Sequence, residues 1–203
     1  TPDGQEPRSV GWTEIAEAAY GTGPVPEGLE PGLRDHLSYD PEHLTNPNGA
    51  YVCVVDIDPA TAVVTARRLI AVDDCGNRIN DVIVEGQIHR GLADGVGIAL
   101  MELIEFDEHG TCLSGSLMDY LIPSAADVPD WETGATITPS PFHPLGAKGV
   151  GESATVGSPP AIVNAVLDAL APYGVDRIDM PMTPSRVWAA MTHLDADSPQ
   201  EPR

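Results

Sequence analysis

The chain has 203 residues, 42% of them apolar, with 31 acidic side chains against 10 Lys plus Arg and a formal net charge of −21. No cluster of cations is present to track a phosphate backbone, which excludes nucleic acid as a partner and makes an anionic membrane surface repulsive. Three cysteines, Cys53, Cys75 and Cys112, are too few and too scattered for a disulfide framework or a four-cysteine iron–sulfur site, and they fit a cytoplasmic compartment.

The first residue is Thr1 rather than Met, no basic and apolar signal peptide opens the chain, and no apolar run approaches a membrane span. The chain reads as processed, or cut from something longer. Residues 1–11 are polar and read as mobile, and 13–20 predict a short capped helix. From 21 to 48 the chain is rich in proline and glycine and poor in apolar side chains. Residues 1–48 are therefore expected to form an extended arm with one short helix, laid on a neighbour because it has no core of its own. A strand over 50–57, a turn at 58–61 and a returning strand over 62–72 follow, ending in a polar turn at 73–77.

Over 83–101, Ile88, Leu92, Val96, Ala99 and Leu100 recur at helical spacing. Gly86, Gly91, Gly95 and Gly97 each cost such a helix about 1 kcal/mol relative to alanine. Close packing against another backbone, or against a flat cofactor, would offset that cost, and both readings stand. Gln87, near the predicted helix start, offers both a donor and an acceptor. A second hairpin is expected around 107–110, a proline-marked crossing at 119–124 and a strand at 135–138.

The stretch from Gly146 to Leu170 organises the rest. A glycine-rich turn (Gly146, Gly149, Gly151 and Gly157) presents one carboxylate, Glu152. Without Cβ atoms, its backbone can approach a bulky ligand closely and take positive φ. Ser158 reads as an N-cap with Pro159 at the first helical position. Ile162, Val163, Val166, Leu167 and Leu170 then give a buried stripe. A surface loop with a solvated glutamate is the plainer reading of the turn alone. A short strand at 177–180, a capped helix at 183–191 and a frayed tail at 194–203 complete the chain. The fold class expected is α+β, mixed sheets and hairpins with packed helices, with the functional domain over 49–193. The six histidines lack metal-ligand spacing, and none is assigned to a metal. Ser114 and Ser116 lie in no nucleophile elbow.

Lys148-Gly-Val-Gly-Glu152 followed by Gly157-Ser-Pro-Pro-Ala161 resembles a C-terminal signature of the molybdenum hydroxylases, the xanthine oxidase and carbon monoxide dehydrogenase family. The segment from Val72 through Asn80 to Gln87 is similar to the family's cofactor motif. Asp119 to Pro123, Asp127 to Pro129, Thr138 to Pro141, Pro144 to Lys148 and Met180 to Trp188 continue the match. The resemblance covers residues 50–192, as the C-terminal part of a molybdopterin-binding large subunit, and its wording is most similar to the aerobic carbon monoxide dehydrogenase branch. Two places depart from it. Asn80-Asp81 stands where relatives commonly show Asn-Pro, and His89-Arg90-Gly91 stands where they often show Gly-Gly.

The resemblance implies a molybdenum–molybdopterin cytosine dinucleotide cofactor. Copper would be bridged to molybdenum through a residue outside this chain, so none of the three cysteines takes that role. Glu152 would be the catalytic base, taking a proton at the metal or holding substrate there, and a dry pocket would raise its pKa. Gln87 would hydrogen-bond an oxygen on the metal or the pterin. Lys148 and the amides of Gly149 and Gly151, flanking Val150, would face the anionic cofactor as a nest. Asp74 and Cys75 would line the dinucleotide side, although a polar strand end explains them as well. The implied partners are the N-terminal remainder of the large subunit, an iron–sulfur small subunit and an FAD medium subunit, in a dimer of heterotrimers that could meet a membrane through its partners. The activity implied is oxidation of carbon monoxide with water. An aldehyde or N-heterocycle hydroxylase and a non-catalytic acidic scaffold are the rival readings.

Overall fold

A computed structural model describes residues 9–21, 23, 28, 30–40 and 42–193. Expectations for 1–8 and 194–203 lie outside the described residues. The chain divides into two compact units, 1–42 and 43–203. The sequence reading had put that division after 48. The His43 ring lies 4.5 Å from the Phe142 ring, which ties the start of the second unit to its body.

In the first unit, α1 spans Trp12–Tyr20 with Gly11 as N-cap and no side-chain cap bond, so Thr13 lies inside the helix rather than capping it. Gly32 N–H donates to Ala19 O (2.7 Å) and Leu33 N–H to Tyr20 Oη (3.2 Å), folding the following segment back on the helix end.

The second unit is built on a three-stranded sheet in the order β1-β2-β3. Strand β1 (Asn48–Ile57) pairs antiparallel with β2 (Val64–Asp74), and β3 (Trp131–Ala135) pairs parallel with β2. Burial alternates along β1, as a strand with one covered face requires. Strand β3 lies earlier than the expected 135–138. Beyond its end, Thr136 N–H still donates to Asp73 O (3.1 Å). The 107–110 turn forms through the Asp107 carboxylate, which accepts from His109 N–H and Thr111 N–H, but only one bridge, Phe106 to Cys112, extends it. No strand forms at 177–180. Just beyond it, Met182 N–H donates to Ala99 O (2.7 Å), near the C-terminal end of the helix over Asp81–Leu100.

Helix α2 spans Asp81–Leu100, and Asn80 Oδ1 caps Ile83 N–H at 3.1 Å. Gln87 therefore sits in its second turn, not at its start. Helix α3 spans Ser153–Leu170, earlier than the Ser158 cap expected, with Pro159 and Pro160 inside it. The Ser158 hydroxyl is buried, and its one proton is shared between Ala154 O (2.6 Å) and Gly91 O (3.0 Å). The two prolines remove backbone donors, at about 3 kcal/mol each in a helix interior. Fully burying Ile162, Val166 and Leu170, at about 1.5–3 kcal/mol each, offsets that loss. By length and composition Ser153–Tyr173 could cross a membrane, contrary to the sequence expectation. Here α3 packs on α2 and β1 as a core helix. Helix α4 (Pro184–Thr192) has Thr183 as N-cap without a side-chain cap bond.

The α2–α3 crossing decides between the two readings of the glycine-rich helix. A Cβ on Gly91 would lie 2.7 Å from Ala154 Cβ, and one on Gly95 would lie 1.9 Å from Ser158 Oγ. These two glycines serve helix–helix contact. Gly86 has nothing within 4 Å of that position.

Candidate active site

The glycine-rich turn is stitched to the connection between β2 and α2. Gly146 takes φ +64°, and its carbonyl accepts the N–H groups of Asn77 (3.0 Å) and Ser140 (3.0 Å). Asn77 Nδ2 donates to Leu145 O (2.9 Å), and Lys148 N–H donates to Cys75 O (2.7 Å). His143 Nε2 donates to Ala147 O at 2.7 Å. Up to Lys148 the turn is therefore rigid by its backbone bonds. Gly149 and Gly151 do not use positive φ, so of the expected set only Gly146 needs that freedom.

Three expected cofactor residues are spent inside the fold. Lys148 Nζ donates to Asp74 Oδ1 (3.1 Å), and both side chains are buried. Asp74 also accepts from Gly76 N–H (2.9 Å), Thr138 N–H (3.0 Å) and Thr136 Oγ1 (3.1 Å). Hydrogen bonds from Thr138, Gly76 and Lys148 hold its carboxyl well below the usual carboxylate range. The Lys148 ammonium, expected to face the cofactor, and the Asp74 carboxylate, expected on its dinucleotide side, thus pair with each other, as buried charges must. Cys75, expected beside Asp74 on the dinucleotide side, is buried in the core. Val150 is half-buried and packs against that core.

Past Lys148 the turn opens. A Cβ on Gly149 would meet nothing within 4 Å, and Gly149 itself is exposed. The N–H groups of Gly149 and Gly151 make no hydrogen bond to another described residue. Glu152 is the N-cap residue of α3 through its backbone, its carbonyl accepting Val156 N–H at 3.0 Å. Its carboxylate is exposed and caps nothing. The dry pocket expected around it is thus not formed by the described residues. Gln87 is half-buried, and its Oε1 lies 3.9 Å from where a Gly151 Cβ would stand. The amide and the acid therefore meet the same short turn from α2 and α3.

Glu152 lines a hollow of about 350 Å³ together with Pro47, Gly49, Tyr51, Ser153 and Gly157. Gln87 is not part of that lining. The sequence reading missed Tyr51, whose ring lies where a Gly157 Cβ would fall, 2.1 Å from Cε2. Its hydroxyl donates to Asp73, which is 2% exposed and whose second oxygen has no partner among the described residues. Burial first, then the bond to Asp73, pushes the Tyr51 phenol well above its usual value. It also left Arg90 without a role: Nη2 donates to Gly151 O at 2.7 Å. The only sequence signal for either was an aromatic residue at an inward strand position and an arginine where glycine is common.

Unspent amides at Gly149 and Gly151, open space above Gly149 and the N-terminus of an 18-residue helix form a wall that suits an anionic group. These residues fit a molybdopterin on one side only. The remaining contacts must come from elsewhere.

The description "molybdopterin cofactor-binding domain" matches residues 3–129. The chain is 52% identical to the carbon monoxide dehydrogenase large chain of Hydrogenophaga pseudoflava, over 88% of this chain and 22% of that protein. It is 36% identical to the nicotine 6-hydroxylase large subunit of Paenarthrobacter nicotinovorans, over 95% of this chain and 24% of that one. A crystal structure of a Cu,Mo-CO dehydrogenase in its carbon monoxide-reduced state matches with a TM-score of 0.78 and 47% identity, over 89% of this chain and 22% of that one. The chain thus spans under a quarter of the length of these relatives. With an α+β fold that superposes on the same region of that dehydrogenase, and an acid turn bordered by free amides, this chain belongs to the molybdopterin cofactor-binding domain family of the molybdenum hydroxylases.

Proposed function

We propose that the chain supplies one wall of the catalytic pocket of a carbon monoxide-oxidising molybdenum hydroxylase, with Glu152 as the proton-accepting base. The observation that carries the reading is the exposed carboxylate of Glu152, set at the mouth of α3 on a turn rigid up to Lys148 and open beyond it. Similarity to the carbon monoxide dehydrogenase large chain, at 52% identity, supports the substrate.

The bound molybdenum–molybdopterin cytosine dinucleotide supplies the two-electron step by which carbon monoxide and water become carbon dioxide, two protons and two electrons. Glu152 accepts one of those protons at a carboxylate oxygen. The Gly149 and Gly151 N–H groups hold anionic oxygens, which fixes the group without a neutralising side chain. Gln87 donates or accepts one neutral hydrogen bond beside Gly151. The other walls, belonging to the remainder of the large subunit, exclude water from the site. Electrons leave through an iron–sulfur subunit and an FAD subunit in a cytoplasmic dimer of heterotrimers.

Glu152→Gln in the intact assembly tests the base. Turnover is expected to fall by a factor of about 10²–10⁴ with molybdenum content unchanged. Retained turnover would refute the assignment and leave a scaffold role. Similarity to nicotine 6-hydroxylase over 95% of the chain favours an N-heterocycle hydroxylase as the second reading. A metal count separates the two. Copper alongside molybdenum supports carbon monoxide, whereas molybdenum without copper, together with turnover of a pyridine, supports the heterocycle.

A further inference from the structure

The Gly151 carbonyl, next to the acid, is held by one side chain among the described residues, Arg90 of α2, with Nη2 donating at 2.7 Å. Nη1 of the same guanidinium donates to Asp94 Oδ2 at 2.8 Å. Thr155 Oγ1, in the first turn of α3, donates to that carboxylate oxygen at 3.4 Å. One planar fork thus joins α2, the acid turn and the start of α3, and Glu152 lies between two of its attachment points in the chain.

Arg90 and Asp94 are about half-exposed, and a pair in that setting adds little to global stability. Its effect is on direction. The Gly151 carbonyl and the Glu152 N–H belong to one planar, trans peptide unit. A carbonyl drawn toward α2 turns the Glu152 N–H the opposite way and sets the line along which its Cα–Cβ bond leaves the backbone. Among the described residues, no other group of α2 bonds this part of the turn. The Lys148 ammonium is occupied by Asp74, and the backbone bonds to the 75–77 connection end at Lys148.

We propose that Arg90 is a positioning residue that fixes the Gly151–Glu152 peptide, and with it the aim of the Glu152 carboxylate, while Asp94 orients the guanidinium. The proposal rests on the reading of Glu152 as base. A lysine cannot replace Arg90 fully, because an ammonium is a point donor and does not span a carboxylate and a carbonyl in one plane.

The test uses the intact, metal-loaded assembly with Arg90→Gln, Arg90→Lys, Asp94→Asn and Glu152→Gln. It reads amide hydrogen exchange over 149–155, molybdenum content, and kcat and KM separately. Arg90→Gln is expected to speed exchange in that segment by roughly tenfold, the worth of one charge-assisted bond. It should lower kcat by about tenfold to a hundredfold, since a small misplacement of a reacting group costs that much, with KM and molybdenum content unchanged. Asp94→Asn should give a smaller effect in the same direction, and Arg90→Lys a partial rescue. In the Glu152→Gln background, Arg90→Gln should lower kcat no further. Faster exchange with unchanged kcat would overturn the proposal by leaving Arg90 structural, and full rescue by lysine would overturn the fork in favour of charge. If Glu152→Gln is inactive while Arg90→Gln matches the parent, this inference alone fails. If Glu152→Gln stays active, the base reading fails, and unchanged exchange in Arg90→Gln would sink the clamp as well.

Discussion

At the scale of single residues, environment separates side chains that the sequence shows as equals. Burial pushes the Cys53 thiol up to about 11, Cys75 is enclosed in the core, and Cys112 lies exposed beside the 107–110 turn. Because the thiolate is the reacting form, iodoacetamide near neutral pH should label Cys112 first, Cys53 slowly and Cys75 only after unfolding. Peptide mass spectrometry of the labelled protein checks the order, and equal labelling of all three would contradict these environments. Glu152 stands out in the sequence because a lone acid on a Cβ-poor turn is an uncommon local pattern. The pairing of Lys148 with Asp74 does not, since a cation beside a turn reads the same whether it faces a ligand or a buried partner in a distant strand. Tyr51 escaped notice for the converse reason. It reads as one more inward strand residue, and Gly157, the glycine that makes room for it, lies far along the chain.

At the scale of elements, the glycines of α2 give a paired prediction in which two effects of similar size compete. Alanine in a helix interior gains about 1 kcal/mol over glycine. At Gly86, where a Cβ meets nothing within 4 Å, Gly86→Ala should stabilise the protein by up to about that amount. At Gly95 the new Cβ would lie 1.9 Å from Ser158 Oγ and break the close α2–α3 contact, and overpacking of this kind costs about 1–3 kcal/mol. Gly95→Ala should therefore lower stability despite its helix propensity, and urea unfolding of the two variants measures both signs. The helical period of α2 and the strand pair 50–57 with 62–72 were plain in the sequence. The start of α3 was not. Ser158 and Pro159 look like a helix start, and only the buried Gly91 carbonyl that Ser158 reaches explains why they lie inside the helix.

Across the whole molecule, the acidic balance sets the pH response. Asp74, whose folded pKa is depressed, contributes stability that is present above its unfolded value of about 4 and is lost as pH falls through the lower folded value. Asp58, Asp107, Asp127 and Glu132 are depressed in the same sense, held by Ala60 N–H, Thr111 N–H, the Ser124 hydroxyl and the Arg68 guanidinium respectively. Relief of self-repulsion at a net charge of −21 works the other way as carboxylates first protonate. The thermal midpoint should therefore hold or rise slightly as pH drops from neutral, then fall below about pH 4. Asp74→Asn should lower the midpoint at neutral pH and flatten the acid limb. A limb unchanged by that substitution would show that Asp74 does not contribute to it.

The α+β class, the β1–β2 pair, the body of α2 and the glycine-rich acid turn were written in local patterns: period two in the strands, period three to four in the helices, and glycines crowded before one glutamate. Such patterns are short-range, so the sequence alone could determine them. Which cations are spent internally, which glycines serve a helix crossing and which arginine grips the acid turn depend on partners far apart in the chain. Side-chain chemistry does not encode that distance; only the packing of α2 against α3 and of both on the sheet decided it.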